Sequence, residues 1–232
     1  MITLKDKVVL ITGAKGGLGN SVTQAFLDAS ATVVGVSRSI AASDFPHPGF
    51  VAMPAELSSG EAAQRLADGV VARLQRIDVL VHLVGGFAGG KSVAETDDAT
   101  LDRMLDLNVR SAFLIARAVV PQMRRQGSGR ILAIGSRAAV EPAALAGAYS
   151  ASKAALVSLI RTLAAENKDK SITANVILPG TMDTRANRAA DPGADFSRWV
   201  QPAQVAAMLL HLASDAASQV NGAVIPVYGH DV

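Results

Sequence analysis

Seven short β-branched runs alternate with longer stretches of helical period, a pattern that leaves few folds open other than repeated βαβ units around a parallel sheet. The runs lie at 8–12, 32–37, 50–53, 79–84, 130–135, 173–178 and 223–227, the third being the weakest. Helical period fills 18–29, 61–74, 98–126, 149–168 and 202–213, with Gly127 closing the third stretch and Pro202 starting the last in its first turn. Several runs are apolar throughout, as strands covered by helices on both faces must be. The expected fold is therefore α/β, a doubly wound sheet of about seven parallel strands with its site at their carboxyl ends.

The first run leads directly into Gly13-x-x-x-Gly17-x-Gly19 and then a helix. Glycines there permit a tight turn and let the backbone approach a pyrophosphate at the helix N-terminus, which makes the sheet Rossmann-type. Gly13, Lys15, Gly16, Gly17, Leu18 and Gly19 are the phosphate-loop candidates. About 20 residues past such a loop, a free ribose 2′-hydroxyl usually meets an acidic side chain. Ser37 and Arg38 stand there instead. A guanidinium forks onto a 2′-phosphate, so NADP(H) is favoured, with NAD(H) also possible. Lys15 is either a second cation near that phosphate or a solvated turn lysine.

A second constellation carries acid/base chemistry. Tyr149 and Lys153 are four residues apart on one helix face, with side-chain bases roughly 5–6 Å apart. A phenol titrates near pH 10, and a nearby ammonium favours the phenolate. Ser136 follows an apolar strand and should present its hydroxyl at the same end of the sheet. Taken singly, a surface tyrosine, a helix lysine and a turn serine are each commonplace. Their occurrence together, in this order, is not.

Composition narrows the alternatives. No Pro/Ser-rich linker or composition break divides the 232 residues, so one domain over 1–232 is expected. Half the residues are apolar and 18% are charged, enough for a chain of this length to bury about 70–75% of its unfolded surface. A net charge of +2 speaks against nucleic acid as a partner, and the basic run at 123–130 suits a helix end and turn. The absence of cysteine excludes disulfides, thiolate metal sites and a cysteine nucleophile. His47, His82, His211 and His230 have no ligand spacing, so no metal is expected. Met1 to Lys7 shows no leader, and no run approaches the roughly 18 apolar residues of a membrane span, so a soluble cytoplasmic protein without a membrane partner is expected.

From about Lys5 to Tyr228 the chain resembles the classical short-chain dehydrogenase/reductase family. The resemblance implies that Ser136, Tyr149 and Lys153 form the catalytic triad, and that Asn108 is the helix asparagine that organises a proton-relay water. It implies that Lys153 also holds the nicotinamide ribose. The Pro179-Gly180-Thr181-Met182-Asp183-Thr184 segment would close on the nicotinamide, with Pro179, Gly180 and Thr184 among the cofactor contacts. Glu56 and Leu57 stand where the family has Asp-Leu or Asp-Val beside the adenine, and Gly85 ends a segment that in the family reads Asn-Asn-Ala-Gly. Here that segment is His82-Leu83-Val84-Gly85, which puts the asparagines' strand-stabilising contacts in doubt. The apolar neighbours of His82 favour a buried structural histidine over an acid/base. The implied function is hydride transfer between a nicotinamide and a small-molecule carbonyl or alcohol.

The segments 85–91 and 182–188, the latter followed by 194–199, also resemble dihydropteridine reductase, which raises a quinonoid dihydropterin as an alternative substrate. That enzyme, as the resemblance has it, favours NADH and lacks the triad serine, whereas this chain has Arg38 and Ser136. A substrate loop is expected at 181–201, with Arg185, Asn187, Arg188, Phe196 and Trp199 either lining the pocket or forming a lid anchored by the Trp. A non-catalytic protein that senses dinucleotide or only assembles is the alternative of another class. A homodimer or homotetramer is expected from the wide apolar belt of helix 149–168 (Ala154, Leu156, Val157, Leu159, Ile160, Leu163, Ala164), since related enzymes pair this helix and 98–126 across an interface.

Overall fold

A computed structural model describes residues 2–230. Seven strands, β1 (Val8–Thr12), β2 (Thr32–Val36), β3 (Phe50–Ala52), β4 (Val79–His82), β5 (Gly129–Ile134), β6 (Ile172–Pro179) and β7 (Val224–Val227), form one sheet in the order β3-β2-β1-β4-β5-β6-β7. Every pairing is parallel, including β1 with both β2 and β4. The order reverses at β1, where doubly wound sheets open a crevice for ligands.

Strand side chains alternate between two cores. Val8 and Leu10 of β1 face one core, and Val9 and Ile11 face the other. The first core is closed by α2 (Gly60–Leu74), α4 (Ser111–Gln126) and α5 (Gly147–Glu166), through residues such as Leu66, Ile115 and Leu156. The second is closed by α1 (Gly17–Asp28) and α7 (Pro202–Ala213), through Val22, Phe26, Val205 and Leu209. At roughly 1.5–3 kcal/mol per fully buried large apolar side chain, these two layers are what hold the sheet flat between helices.

The helix boundaries follow from local chemistry. Ser59 caps α2 by accepting from the Ala62 N–H at 3.2 Å. Gly127 ends α4 in the left-handed region at φ 67°, and Pro202 starts α7. The stretch expected as one helix over 98–126 is interrupted. It runs as α3 (Asp98–Leu105), a π-helical turn at Asp106–Arg110, and α4. The turn inserts one extra residue and carries Asn108. A short helix absent from the sequence expectation, α6 (Arg185–Ala190), lies inside the segment 181–201 and is capped by Thr184, whose Oγ1 accepts from the Asn187 N–H at 3.2 Å.

The belt assigned to assembly on 149–168 is largely spent inside the chain. Leu156, Ile160, Leu163 and Ala164 are buried in the first core. The exposed large apolar residues nearby sit instead on α3, the π turn and α4: Leu101, Leu105, Leu107 and Phe113. The sequence pattern marks a wide apolar face but not that β6 and α3 pack against α5 and consume it. Among the described residues, no helix is long and apolar enough to cross a membrane.

Candidate active site

The expected site residues come from separated parts of the chain and gather at the carboxyl end of the sheet. Gly13–Gly19 follow β1, Ser37 and Arg38 follow β2, and Glu56 and Leu57 follow β3. Gly85 follows β4, Ser136 follows β5, and Gly180 and Thr184 follow β6, which ends at Pro179. All are therefore at the carboxyl ends of parallel strands.

The glycine loop is a cradle closed to side chains. Gly13 has φ +78°, and a Cβ on it would meet the Leu83 carbonyl carbon at 3.0 Å. On Gly19 a Cβ would lie 2.2 Å from the Gly13 carbonyl oxygen, and on Gly17 it would lie 3.1 Å from the Thr184 methyl. The last contact brings Thr184, which follows β6, against the loop. Beside it, Gly16 caps α1 and donates its own N–H to the Gly13 carbonyl at 3.0 Å, while the first N–H groups of α1 lie at the positive end of the helix dipole. This backbone cradle fits a dinucleotide pyrophosphate.

Beyond β2, Arg38 is exposed and makes no ion pair among the described residues. Lys15 is committed: its Nζ lies 2.8 Å from Asp44 Oδ1 and donates to the Ser39 carbonyl at 3.1 Å. The ammonium in turn holds the Asp44 carboxyl below its ordinary value. Lys15 thus reaches the expected region with its charge already matched. Glu56 is exposed and Leu57 half-buried.

Tyr149 stands in the first turn of α5, two residues later than its start. Burial pushes the phenol above its ordinary value, and a hydrogen bond from Ser136 opposes that rise. Ser136 is half-buried, and its Oγ also accepts from the Ala138 N–H at 3.2 Å. Phe87 packs edge-on against the Tyr149 ring with centroids 4.9 Å apart. Lys153 is buried; its Nζ donates to the Ile134 carbonyl at 2.9 Å and lies 5.9 Å from the Tyr149 ring centroid. Burial lowers the ammonium to about 8, so it remains mostly protonated at neutral pH. Desolvation of the ring is the larger of the two causes acting on the phenol.

Asn108 is fully buried and fully used. Its Oδ1 accepts from the Gly86 N–H at 2.9 Å, while Nδ2 donates to the Gly86 carbonyl at 3.0 Å and to Ser152 Oγ at 2.9 Å. Ser152 then donates to the Tyr149 carbonyl at 2.7 Å. Asn108 therefore ties the loop after β4 to the first turn of α5. A Cβ on Gly85 would meet Asn108 Oδ1 at 2.8 Å and Lys153 Nζ at 3.3 Å, which explains the glycine.

His82 is the buried structural histidine expected. Ser111 Oγ donates its one proton to the Leu107 carbonyl at 2.6 Å, so the contact of 3.1 Å to His82 has Nε2–H as donor. Nδ1 is then the acceptor from the Thr12 hydroxyl at 2.8 Å. Burial first, and the Lys153 charge second, lower this imidazole to about 3. Thr12, Ser111 and Ser152 were not singled out from the sequence. Ser111 and Ser152 each stand three positions after a site residue, Asn108 and Tyr149, which is the signal that marks them.

The segment at 181–201 closes on itself. Arg188 Nη2 donates to Asp183 Oδ2 at 2.7 Å, and Gln201 Nε2 donates to the same oxygen at 3.1 Å. These bonds hold the Asp183 carboxyl down at about 2. Met182 and Val200 form an isolated parallel bridge at the loop's neck. Arg188 stacks over Phe196, which packs on Trp199 at 4.8 Å. Asn187 donates to the Met182 carbonyl at 2.8 Å. Arg188, Phe196 and Trp199 are thus engaged with each other. Among the described residues no cluster of three or more His, Asp or Glu side chains is grouped to hold a metal.

A family model described as short chain dehydrogenase matches residues 7–195. A 2-dehydro-3-deoxy-D-gluconate 5-dehydrogenase from Pseudoalteromonas atlantica is 31% identical, over 98% of this chain and 96% of that protein. A rhamnolipids biosynthesis 3-oxoacyl-[acyl-carrier-protein] reductase from Pseudomonas aeruginosa is 33% identical, over 98% and 96%. Among solved structures, a short-chain type dehydrogenase/reductase from Mycobacterium ulcerans superposes with a TM-score of 0.92 at 28% identity, covering 99% of this chain and 90% of that one.

Proposed function

Because the chain belongs to the short-chain dehydrogenase family and is an NAD(P)-dependent oxidoreductase, we propose that it interconverts a small-molecule carbonyl and its alcohol with Tyr149 as acid/base, acting as one domain in the cytoplasm. The observation that carries this reading is the pairing of the Ser136 and Tyr149 hydroxyls beside the buried Lys153 ammonium, at the same carboxyl end of the sheet as the glycine cradle. A bound nicotinamide supplies or accepts the hydride at the carbonyl carbon. Tyr149 gives the carbonyl oxygen its proton, or takes it from the alcohol. Ser136 donates a hydrogen bond to that oxygen as charge develops on it. Lys153, fixed by the Ile134 carbonyl, offsets the charge of the phenolate and would also hold the nicotinamide ribose. Asn108 holds Gly86 and Ser152 in register with Tyr149, and so acts on the reacting atoms through its neighbours.

Gly13, Gly16, Gly17, Leu18 and Gly19 would hold the dinucleotide's pyrophosphate, Gly85, Pro179, Gly180 and Thr184 would contact the nicotinamide half, and Glu56 and Leu57 would contact the adenine half. NADP(H) is the favoured form. Arg38 is free to fork onto a 2′-phosphate, whereas Lys15, matched by Asp44, adds little net charge there.

The test is oxidation of NADPH and NADH against ketones, 3-oxoacyl thioesters, quinones and quinonoid dihydropterin, with Tyr149→Phe in parallel. The expected result is NADPH-dependent turnover of a carbonyl, lowered about 10²–10⁴-fold in the variant while dinucleotide binding persists. Turnover of the pterin well above every carbonyl makes the protein a pterin reductase. Full activity in Tyr149→Phe removes the assigned role, and cofactor binding without turnover of any substrate favours a dinucleotide sensor.

A further inference from the structure

A cavity of about 340 Å³ opens beside the proposed acid/base, walled by Phe87 and Leu145 and running back to Lys91, Thr96, Thr100 and Arg103. Phe87 is the same ring that packs on Tyr149, and Gly147 and Ala148, the two residues before it, complete the wall. The mouth is fixed by the Gly90 N–H, which donates to the Leu145 carbonyl at 2.8 Å. Leu145 itself sits at φ +62°, a conformation an L-leucine holds only where its surroundings impose it, as they do at ligand sites.

The lining is one-sided in charge. Every side chain in it is a cation, a hydroxyl or apolar, and no carboxylate is among them. Lys91 is partly matched by Asp97, at 3.6 Å across the rim, and that carboxylate already accepts from the Thr100 N–H at 2.7 Å. Arg103 has no ion-pair partner among the described residues. The Thr96 hydroxyl donates to the Ser92 carbonyl at 2.8 Å, which leaves the Thr100 hydroxyl and the unmatched guanidinium lining this space. They form a donor set for a carboxylate or phosphate, which Arg binds with two parallel hydrogen bonds. The apolar mouth, with Phe87 68% and Leu145 52% exposed, suits a hydrocarbon segment between that anion and the reacting carbon.

We propose that this cavity is a subsite for an anionic group on the substrate, with Arg103 as its principal donor and Lys91 as a second, so that the enzyme selects carbonyl or hydroxy compounds that carry a remote carboxylate or phosphate. The proposal rests on the carbonyl/alcohol reading for its kinetic consequence but not for binding. Arg103 and Lys91 set specificity and take no part in proton or hydride movement.

Two measurements separate the site from the reaction. The first is binding alone: titration of the protein, saturated with NADP⁺, with hexanoate, hexanamide and hexyl phosphate, none of which contains a ketone. Hexanoate or hexyl phosphate should bind about tenfold or more tighter than the amide, and Arg103→Met should abolish the difference, while Arg103→Lys should retain part of it. The carboxylate and phosphate arms tell which anion fits. Equal binding of acid and amide, or a preference that survives Arg103→Met, overturns the proposal whether or not the protein turns over any carbonyl. The second is the ratio of kcat/KM for oxo acids over their amides within each variant. It should fall about tenfold in Arg103→Met, through KM, and its ratio form is insensitive to the fraction of folded protein. An unchanged ratio, or one lost through kcat, also overturns it.

Discussion

At the scale of single residues, His82 shows how one substitution in a motif redistributes work. The ring bridges Thr12 at the end of β1 to Ser111 at the start of α4, three residues past Asn108. It thus supplies a link between strand and helix that the missing asparagines leave open, and it does so only as the neutral Nε2–H form. The unfolded chain protonates this histidine near 6.5, whereas in the fold burial holds it near 3. Between those values the unfolded state binds more protons, so stability falls as pH drops through the window and the effect is absent above it. At about 1.4 kcal/mol per unit, the full loss is on the order of a few kcal/mol. Urea unfolding at intervals from pH 7 to 4 should show a steeper decline for the wild type than for His82→Asn, which lacks the titration. Parallel slopes in the two proteins would show that His82 does not carry this linkage.

At the scale of elements, the glycine turn and the helix after it stand or fall as a unit. A methyl group on Gly19 meets backbone on the preceding turn, at 2.2 Å from one carbonyl oxygen and 2.6 Å from the next, and no rotamer relieves it. Gly19→Ala should therefore cost roughly 1–3 kcal/mol of stability and weaken dinucleotide binding together. Thermal unfolding and a fluorescence titration with NADPH check both, and unaltered affinity would remove the loop from the binding site. The β1–loop–α1 unit was readable because its signals are local: a β-branched run, glycines, then helical period. The same holds for α7 with its first-turn proline, and for the Tyr149/Lys153 spacing. The π turn was not readable, because one extra residue per turn leaves composition and apolar pattern nearly unchanged. Nor was α6, six residues long and too short to show a period. Ser152 and Thr12 were missed because their importance lies in partners 44 and 70 positions away. Local reading of the 149–168 face likewise overstated what it leaves for a partner, since tertiary packing covers most of it.

At the scale of the whole molecule, the unspent apolar surface has moved to α3 and α4, where Phe113 is 48% exposed and held under the Arg117 guanidinium at 5.8 Å. A homodimer or homotetramer formed through this face is the expected assembly, and light scattering should give twice or four times the mass of 23.9 kDa. Phe113→Glu should shift that mass to the monomer; a wild-type monomer, or an assembly untouched by the change, would place the interface elsewhere. The strand order bears on something else again. β1 lies between β2 and β4, and the Gly13 turn is boxed in by Leu83 and Val84, some 70 positions downstream. While the chain is being made from its N-terminus, the first β-α-β-β-α segment can collapse early, but β1 keeps an open edge and the glycine turn lacks its far wall until β4 has emerged. The nascent protein consequently cannot recruit its dinucleotide until more than a third of it has been synthesised. During that interval the open edge of a mostly apolar strand is exposed to chaperones and to neighbouring chains.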